Sequence, residues 1–168
     1  MSYVTFINQE EVKKYSIIGG QVDPDKLQGV IETVQETVVE DELGDALYQK
    51  VFDLLLNDEM DDSGNANYKK LWIDYIKKMQ IYYTISEYLA IAGMRIENDG
   101  FVKSAPDGNL VVNTEERADA VERARKIADK YQRRLNDYLC DNSHLFPEYN
   151  DADLIYPNKR KSYTNFNF

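Results

Sequence analysis

Residues 68–94 read YKKLWIDYIKKMQIYYTISEYLAIAGM. These 27 residues contain no proline, and their only glycine, Gly93, comes near the end. Leu71, Tyr75, Tyr82, Ile85 and Leu89 form one row at helical spacing; Trp72, Ile76, Met79, Tyr83 and Ala90 form the next. Lys77, Gln80, Thr84 and Glu87 recur every three or four residues and make one narrow polar stripe. A helix that is apolar around most of its circumference is packed on several sides, which predicts the central helix of the fold. Lys77, Lys78 and Glu87 interrupt it, and no run reaches the roughly 18 apolar residues of a membrane span.

Before this stretch the pattern predicts three further helices. Asn8 with Glu11 has the form of a capping box, opening a short helix to about Tyr15. Asp23-Pro24 pairs an N-cap acid with proline at the first helical position. Leu27, Val30, Ile31, Val34 and Val38 then form an apolar stripe that includes Gly29, a residue costing about 1 kcal/mol relative to alanine in a helix. Glu40-Asp41-Glu42 and Gly44 mark the joint to a helix over Asp45 to Leu56, with Leu47, Val51, Leu54 and Leu55 as its buried face. Residues 57–67, NDEMDDSGNAN, form an acidic loop. Aligned on Gly64 as a calcium loop, it carries Glu59, Asp61 and Ser63 at the first three ligand positions but Lys70 where a bidentate glutamate is needed, so a solvated turn is expected.

After the central helix, Asp99-Gly100 is a hairpin dipeptide between Arg95-Ile96-Glu97 and Phe101-Val102-Lys103. Pro106-Asp107-Gly108-Asn109 is a second turn, with a short strand at Leu110 to Val112. A last helix runs from about Thr114 to Cys140, with Val121, Ala124, Ala128, Tyr131, Leu135 and Tyr138 on one face and i,i+4 charge pairs such as Glu122–Lys126 outside. Residues 141–168 lose helical periodicity. The expected fold is mainly α: a helical bundle around a long central helix, with a small β-hairpin between the last two long helices. Residues 1–140 form the domain and residues 141–168 an extended C-terminal arm.

The charge is uneven. Residues 1–65 hold 15 Asp and Glu against 4 Lys, a net of -11, within a chain whose total is -10. A strongly acidic half argues against phosphate-driven nucleic-acid binding there. The single cysteine, Cys140, excludes an internal disulfide and a cysteine metal cluster. The 13 tyrosines suit an interface, since tyrosine joins apolar area to a hydroxyl.

Candidate chemistry is thin. His144 is the only histidine and has no nucleophile motif beside it. Cys140 ends a helix, where the dipole disfavours thiolate. Glu115-Glu116 is ordinary for a first helical turn. Gly19-Gly20 lacks the lysine and hydroxyl residue of a phosphate loop. Glu87 lies in the polar stripe, where a hydrogen-bonded or exposed role is expected. No catalytic, cofactor-binding or metal residue is assigned, and no enzyme activity is expected. The aromatic tail is different: Tyr149, Leu154, Ile155, Tyr156, Tyr163, Phe166 and Phe168, with basic Lys159, Arg160 and Lys161, form a candidate interface because solvated tails are poor in aromatics.

The order of short motifs carries a resemblance. Val22-Asp23-Pro24-Asp25 opens one helix, and Leu43-Gly44-Asp45-Ala46-Leu47-Tyr48 opens the next. The central helix ends in Glu87-Tyr88-Leu89, a hairpin follows at Asn98-Asp99-Gly100-Phe101-Val102-Lys103, and Arg134-Leu135-Asn136-Asp137-Tyr138-Leu139 closes the last helix. Over roughly residues 5–140 this resembles the head-to-tail connector (adaptor or neck ring) proteins of tailed bacteriophages, especially crAss-like phages of gut Bacteroides. The resemblance implies a structural virion protein in the neck, assembled from the host cytoplasm as a ring of about twelve subunits stacked on the portal protein. Other neck and tail ring proteins would be its partners, DNA would pass through the lumen without specific binding, and neither membrane nor cofactor is implied. The alternative from another class is an intracellular helical protein-binding or regulatory module, monomeric or dimeric.

Overall fold

The computed structural model describes residues 4–16, 18, 23–91, 94–97, 100–103 and 114–150. The fold is mainly α. Asn8 caps α1 (Gln9–Lys14): its side-chain oxygen accepts from the Glu11 amide at 2.9 Å, while the Glu11 carboxylate accepts from the Asn8 amide at 3.0 Å. Asp23 caps α2 (Pro24–Val34) by accepting from the amides of Asp25 and Lys26.

The acidic run after α2 is helical, which corrects the expected joint there. The helix passes through a π-helical turn (Gln35–Val39) into α3 (Glu40–Leu43) and stops at Gly44, whose φ of 75° suits glycine. A π turn inserts a residue, so the buried row steps from Val34 to Val39 and leaves Val38 only half-buried. α4 (Asp45–Leu56) buries Leu47, Tyr48, Val51 and Leu54, with Leu55 half-buried. In the acidic loop Met60 is buried and Asp61 pairs with Lys69.

The central helix is α5 (Ala66–Leu71), a second π turn (Trp72–Ile76) and α6 (Lys77–Ile91) in succession. It is enclosed as expected: Leu71, Ile76, Met79, Ile81, Tyr83, Ile85 and Tyr88 are all buried. The predicted polar stripe is not an outward face, however, because Gln80 and Thr84 are fully buried. β1 (Met94–Glu97) and β2 (Gly100–Lys103) pair antiparallel, with Met94 opposite Lys103 and Glu97 opposite Gly100. The short strand expected at Leu110 to Val112 lies outside the described residues.

α7 (Thr114–Asp141) packs along α6, burying Ala124, Ala128, Leu135 and Leu139. The two alanines allow close approach. Two stacked tyrosine pairs follow the seam: Tyr82 with Tyr131 at 5.6 Å and Tyr75 with Tyr138 at 4.2 Å. At one end Arg117 donates to the carbonyls of Leu89 and Ala90, satisfying acceptors at the C-terminus of α6 with a cation.

The expected start of the arm at residue 141 is also corrected. Two 3-10 turns (Ser143–Leu145 and Pro147–Asn150) fold back onto the body. Phe146 between them is 0% exposed, packed edge-on against Tyr68 at 5.5 Å and beside Tyr138 at 6.0 Å. Glu148 accepts from the Tyr68 hydroxyl at 2.9 and 3.1 Å. A single buried aromatic anchors this segment, so no period announces it in the sequence.

Candidate functional site

Two fully buried amide side chains, Gln35 and Gln80, form a polar cluster where the helix begun by α2 meets α6. Gln35 opens the first π turn and is fully buried. Its carbonyl oxygen accepts from the Phe6 amide at 2.6 Å, and its amide donates to the Val4 carbonyl at 3.0 Å and the Tyr48 hydroxyl at 3.3 Å. One side chain thus ties the N-terminal segment to α4. The Gln80 amide donates to the Ile31 carbonyl and to Gln35 Oε1, both at 3.4 Å. From the other side, the Trp72 indole donates to the Phe6 carbonyl at 3.0 Å. Lys77 lies 4.2 Å from the centre of the Trp72 ring and pairs with Glu11 at 2.6 Å, so Glu11 serves both the helix cap and α6.

A second cluster joins α3, α6 and α7. The Tyr83 hydroxyl lies 2.9 Å from Asp129 and 2.7 Å from the side-chain oxygen of Gln132. The amides of Gln132 and Asn136 donate to the two oxygens of Glu42 at 2.5 and 2.7 Å. Burial first, and then the hydrogen bond to Asp129, hold the Tyr83 phenol well above its ordinary value. Tyr68 is likewise pushed up to about 12, by burial and then by its bond to Glu148. Both phenols are therefore neutral hydrogen-bond donors at neutral pH. Glu40 is raised by burial and by the neighbouring carboxylates of Asp45 and Glu36.

The other candidates are dispersed. His144 is exposed in the turn after α7, Cys140 is half-buried near the end of α7, and Glu115 and Glu116 are exposed in its first turn. Glu87 is partly exposed and lies 3.7 Å from Arg125. Among the described residues no three His, Cys, Asp or Glu side chains are grouped to hold a metal ion, and no helix is long and apolar enough to cross a membrane.

Of the predicted interface residues, Tyr149 packs half-buried against the body's own core. Leu154, Ile155, Tyr156, Lys159, Arg160, Lys161, Tyr163, Phe166 and Phe168 lie outside the described residues. Tyrosines expected at an interface are spent inside the bundle: Tyr48, Tyr83 and Tyr88 are buried, and Tyr68, Tyr75, Tyr82, Tyr131 and Tyr138 pack against the core. The large apolar side chains exposed among the described residues are Tyr15, Leu56, Ile73 and Ile91. In the sequence Gln35 is marked only as a lone amide set among Val34, Val38 and Val39, where an apolar residue would be expected.

Fold and clusters together define a helical protein whose buried polar groups bind its own elements to one another. The chain belongs to a family described as of unknown function (DUF6712), whose model matches residues 39–155. No curated protein and no solved structure matches it.

Proposed function

We propose that this chain is a structural, non-enzymatic subunit of a bacteriophage neck. It forms a ring of about twelve copies, joins the portal to the tail, and lets DNA pass through its lumen without specific binding. The observation that carries the reading is the order of its elements. A capped short helix leads to a helix opened by Asp23-Pro24, and another begins after Leu43-Gly44. A long central helix, the β1–β2 pair and a long closing helix then follow. That is the order on which the resemblance to connector proteins rests. In this reading the finer layout is a bundle wound round α6, with the hairpin at one end and an arm beyond residue 150.

The arm's role follows from its composition. Leu154, Ile155, Tyr156, Tyr163, Phe166 and Phe168 supply apolar anchors for a neighbouring subunit or another neck protein, and Lys159, Arg160 and Lys161 meet an acidic surface such as that of residues 1–65. Exposed acids such as Glu36, Asp41 and Asp45 give the DNA path a like-charged wall to which phosphates do not adhere.

A second reading has one observation in its favour. The tyrosines pack internally and few large apolar side chains are exposed among the described residues, as suits a monomeric or dimeric binding module. Mass photometry and negative-stain imaging of the full chain, with and without the portal protein of the same virion, separate the two. Rings seated on the portal are expected. A chain that stays monomeric or dimeric and does not bind the portal overturns the neck reading in favour of the module.

A further inference from the structure

We infer that the α2–α6 interface holds one structural water molecule, bound between Gln80 Oε1 and Thr84 Oγ1. Both side chains are fully buried, and among the described residues neither atom has a hydrogen-bond partner. The Gln80 amide cannot simply be turned round. Its nitrogen faces two acceptors, the Ile31 carbonyl and Gln35 Oε1, so a flip would set oxygen against oxygen on both bonds. Gln80 Oε1 is therefore an acceptor that needs a donor from elsewhere.

Thr84 supplies the second, independent observation. A threonine inside a helix ordinarily returns its hydroxyl to the carbonyl four residues back. Thr33 does so to Gly29 at 2.8 Å and Thr37 to Thr33 at 2.6 Å, while Ser86 bonds the Tyr83 carbonyl at 2.9 Å. Among the described residues Thr84 makes no such bond, which leaves its hydroxyl proton without an acceptor. Gln80 and Thr84 stand one helical turn apart on the same row, and their orphan atoms are not bonded to each other. Water is the small ligand whose chemistry fits: it accepts the Thr84 hydroxyl proton and donates to Gln80 Oε1, as buried waters do between otherwise unsatisfied polar groups. It extends the hydrogen-bonded chain that runs from Val4 and Phe6 through Gln35 to Gln80, and so links the N-terminal segment to the middle of α6.

A crystal structure of the full chain, at a resolution that shows ordered water, tests this directly. The expected result is a peak about 2.7–3.2 Å from both Gln80 Oε1 and Thr84 Oγ1. The peak should persist in Thr84→Ser, which keeps the hydroxyl. It should be lost in Thr84→Val, with a lower melting temperature despite the matched shape. The inference is overturned by a wild-type structure without that peak, by a Thr84 hydroxyl found on the Gln80 carbonyl, or by a Thr84→Val protein that melts at or above the parent. Wild-type density decides the matter even if Thr84→Val does not fold.

Discussion

Replacing Phe146 by alanine probes whether the segment after α7 belongs to the core. Phe146 is 0% exposed and sits between Tyr68 and Tyr138. Truncating a fully buried phenylalanine costs about 3–5 kcal/mol through lost transfer energy and the cavity left behind. For a chain of this size 1 kcal/mol lowers the melting temperature by about 2–4 °C, so a fall on the order of 10 °C is expected. Urea denaturation followed by circular dichroism should show the midpoint falling with an unchanged slope, since the surface exposed on unfolding stays nearly the same. Ile73→Ala is the matched control: Ile73 is 40% exposed, and its loss should stay near 0.5 kcal/mol. A Phe146→Ala loss under about 1 kcal/mol would refute the argument, returning residues 143–150 to the arm.

Other perturbations test separate parts of the fold. Gly29→Ala should stabilise by about 0.5–1 kcal/mol, because the position is helical and a Cβ there meets nothing within 4 Å; a melt at or below the parental temperature would count against it. Tyr68, Tyr82, Tyr83, Tyr88 and Tyr138 all have raised pKa values, so the folded state keeps protons that the unfolded chain releases near pH 10. Their stabilisation is complete below about pH 10 and is lost as pH rises through the folded values, about 12 for Tyr68; phenolate absorbance should therefore rise together with loss of helix rather than before it. Glu40→Gln removes a carboxylate disfavoured by burial and by Asp45 and Glu36. Its stabilising effect should be present at pH 7, fade as pH falls through the raised folded value towards 4.5, and be gone below that, where Glu40 is protonated in both states; equal melting temperatures of variant and parent at pH 7 would contradict this. A chain ending at Asn150 keeps Phe146 and Glu148 and should melt close to the parent while failing to enter the neck, and its assembly at parental efficiency would sink the proposed arm.

Local chemistry made part of this fold legible. The Asn8–Glu11 box and the Asp23-Pro24 start depend on residues next to one another, and both take the predicted geometry. The apolar rows of α6 and α7 likewise identify the two helices that face each other. What stayed hidden depends on distant partners. A π turn is held by tertiary packing, so the spacing alone favoured Val38 over Val39. Gln80 and Thr84 have the spacing of a solvated stripe, and only the Ile31 carbonyl and Gln35, far back in the chain, reveal Gln80 as an interior group. The tyrosine count could not distinguish an outer interface from the internal stacks between the central helix and α7. Phe146 sits with Leu145 and Tyr149 between turn formers, a group too short to set up a helical or strand period.

Trp72 is the only tryptophan in the chain, and its indole is fastened to the backbone of Phe6 with the Lys77 ammonium over its ring. Tryptophan emission, excited selectively over the 13 tyrosines, therefore originates at the seat of the N-terminal segment. Detachment of residues 4–7 would hydrate the indole and move its emission to longer wavelength while helix content is still intact. An unlabelled sample consequently carries its own optical sensor for that single contact, readable in a stopped-flow cuvette as the subunit meets a partner.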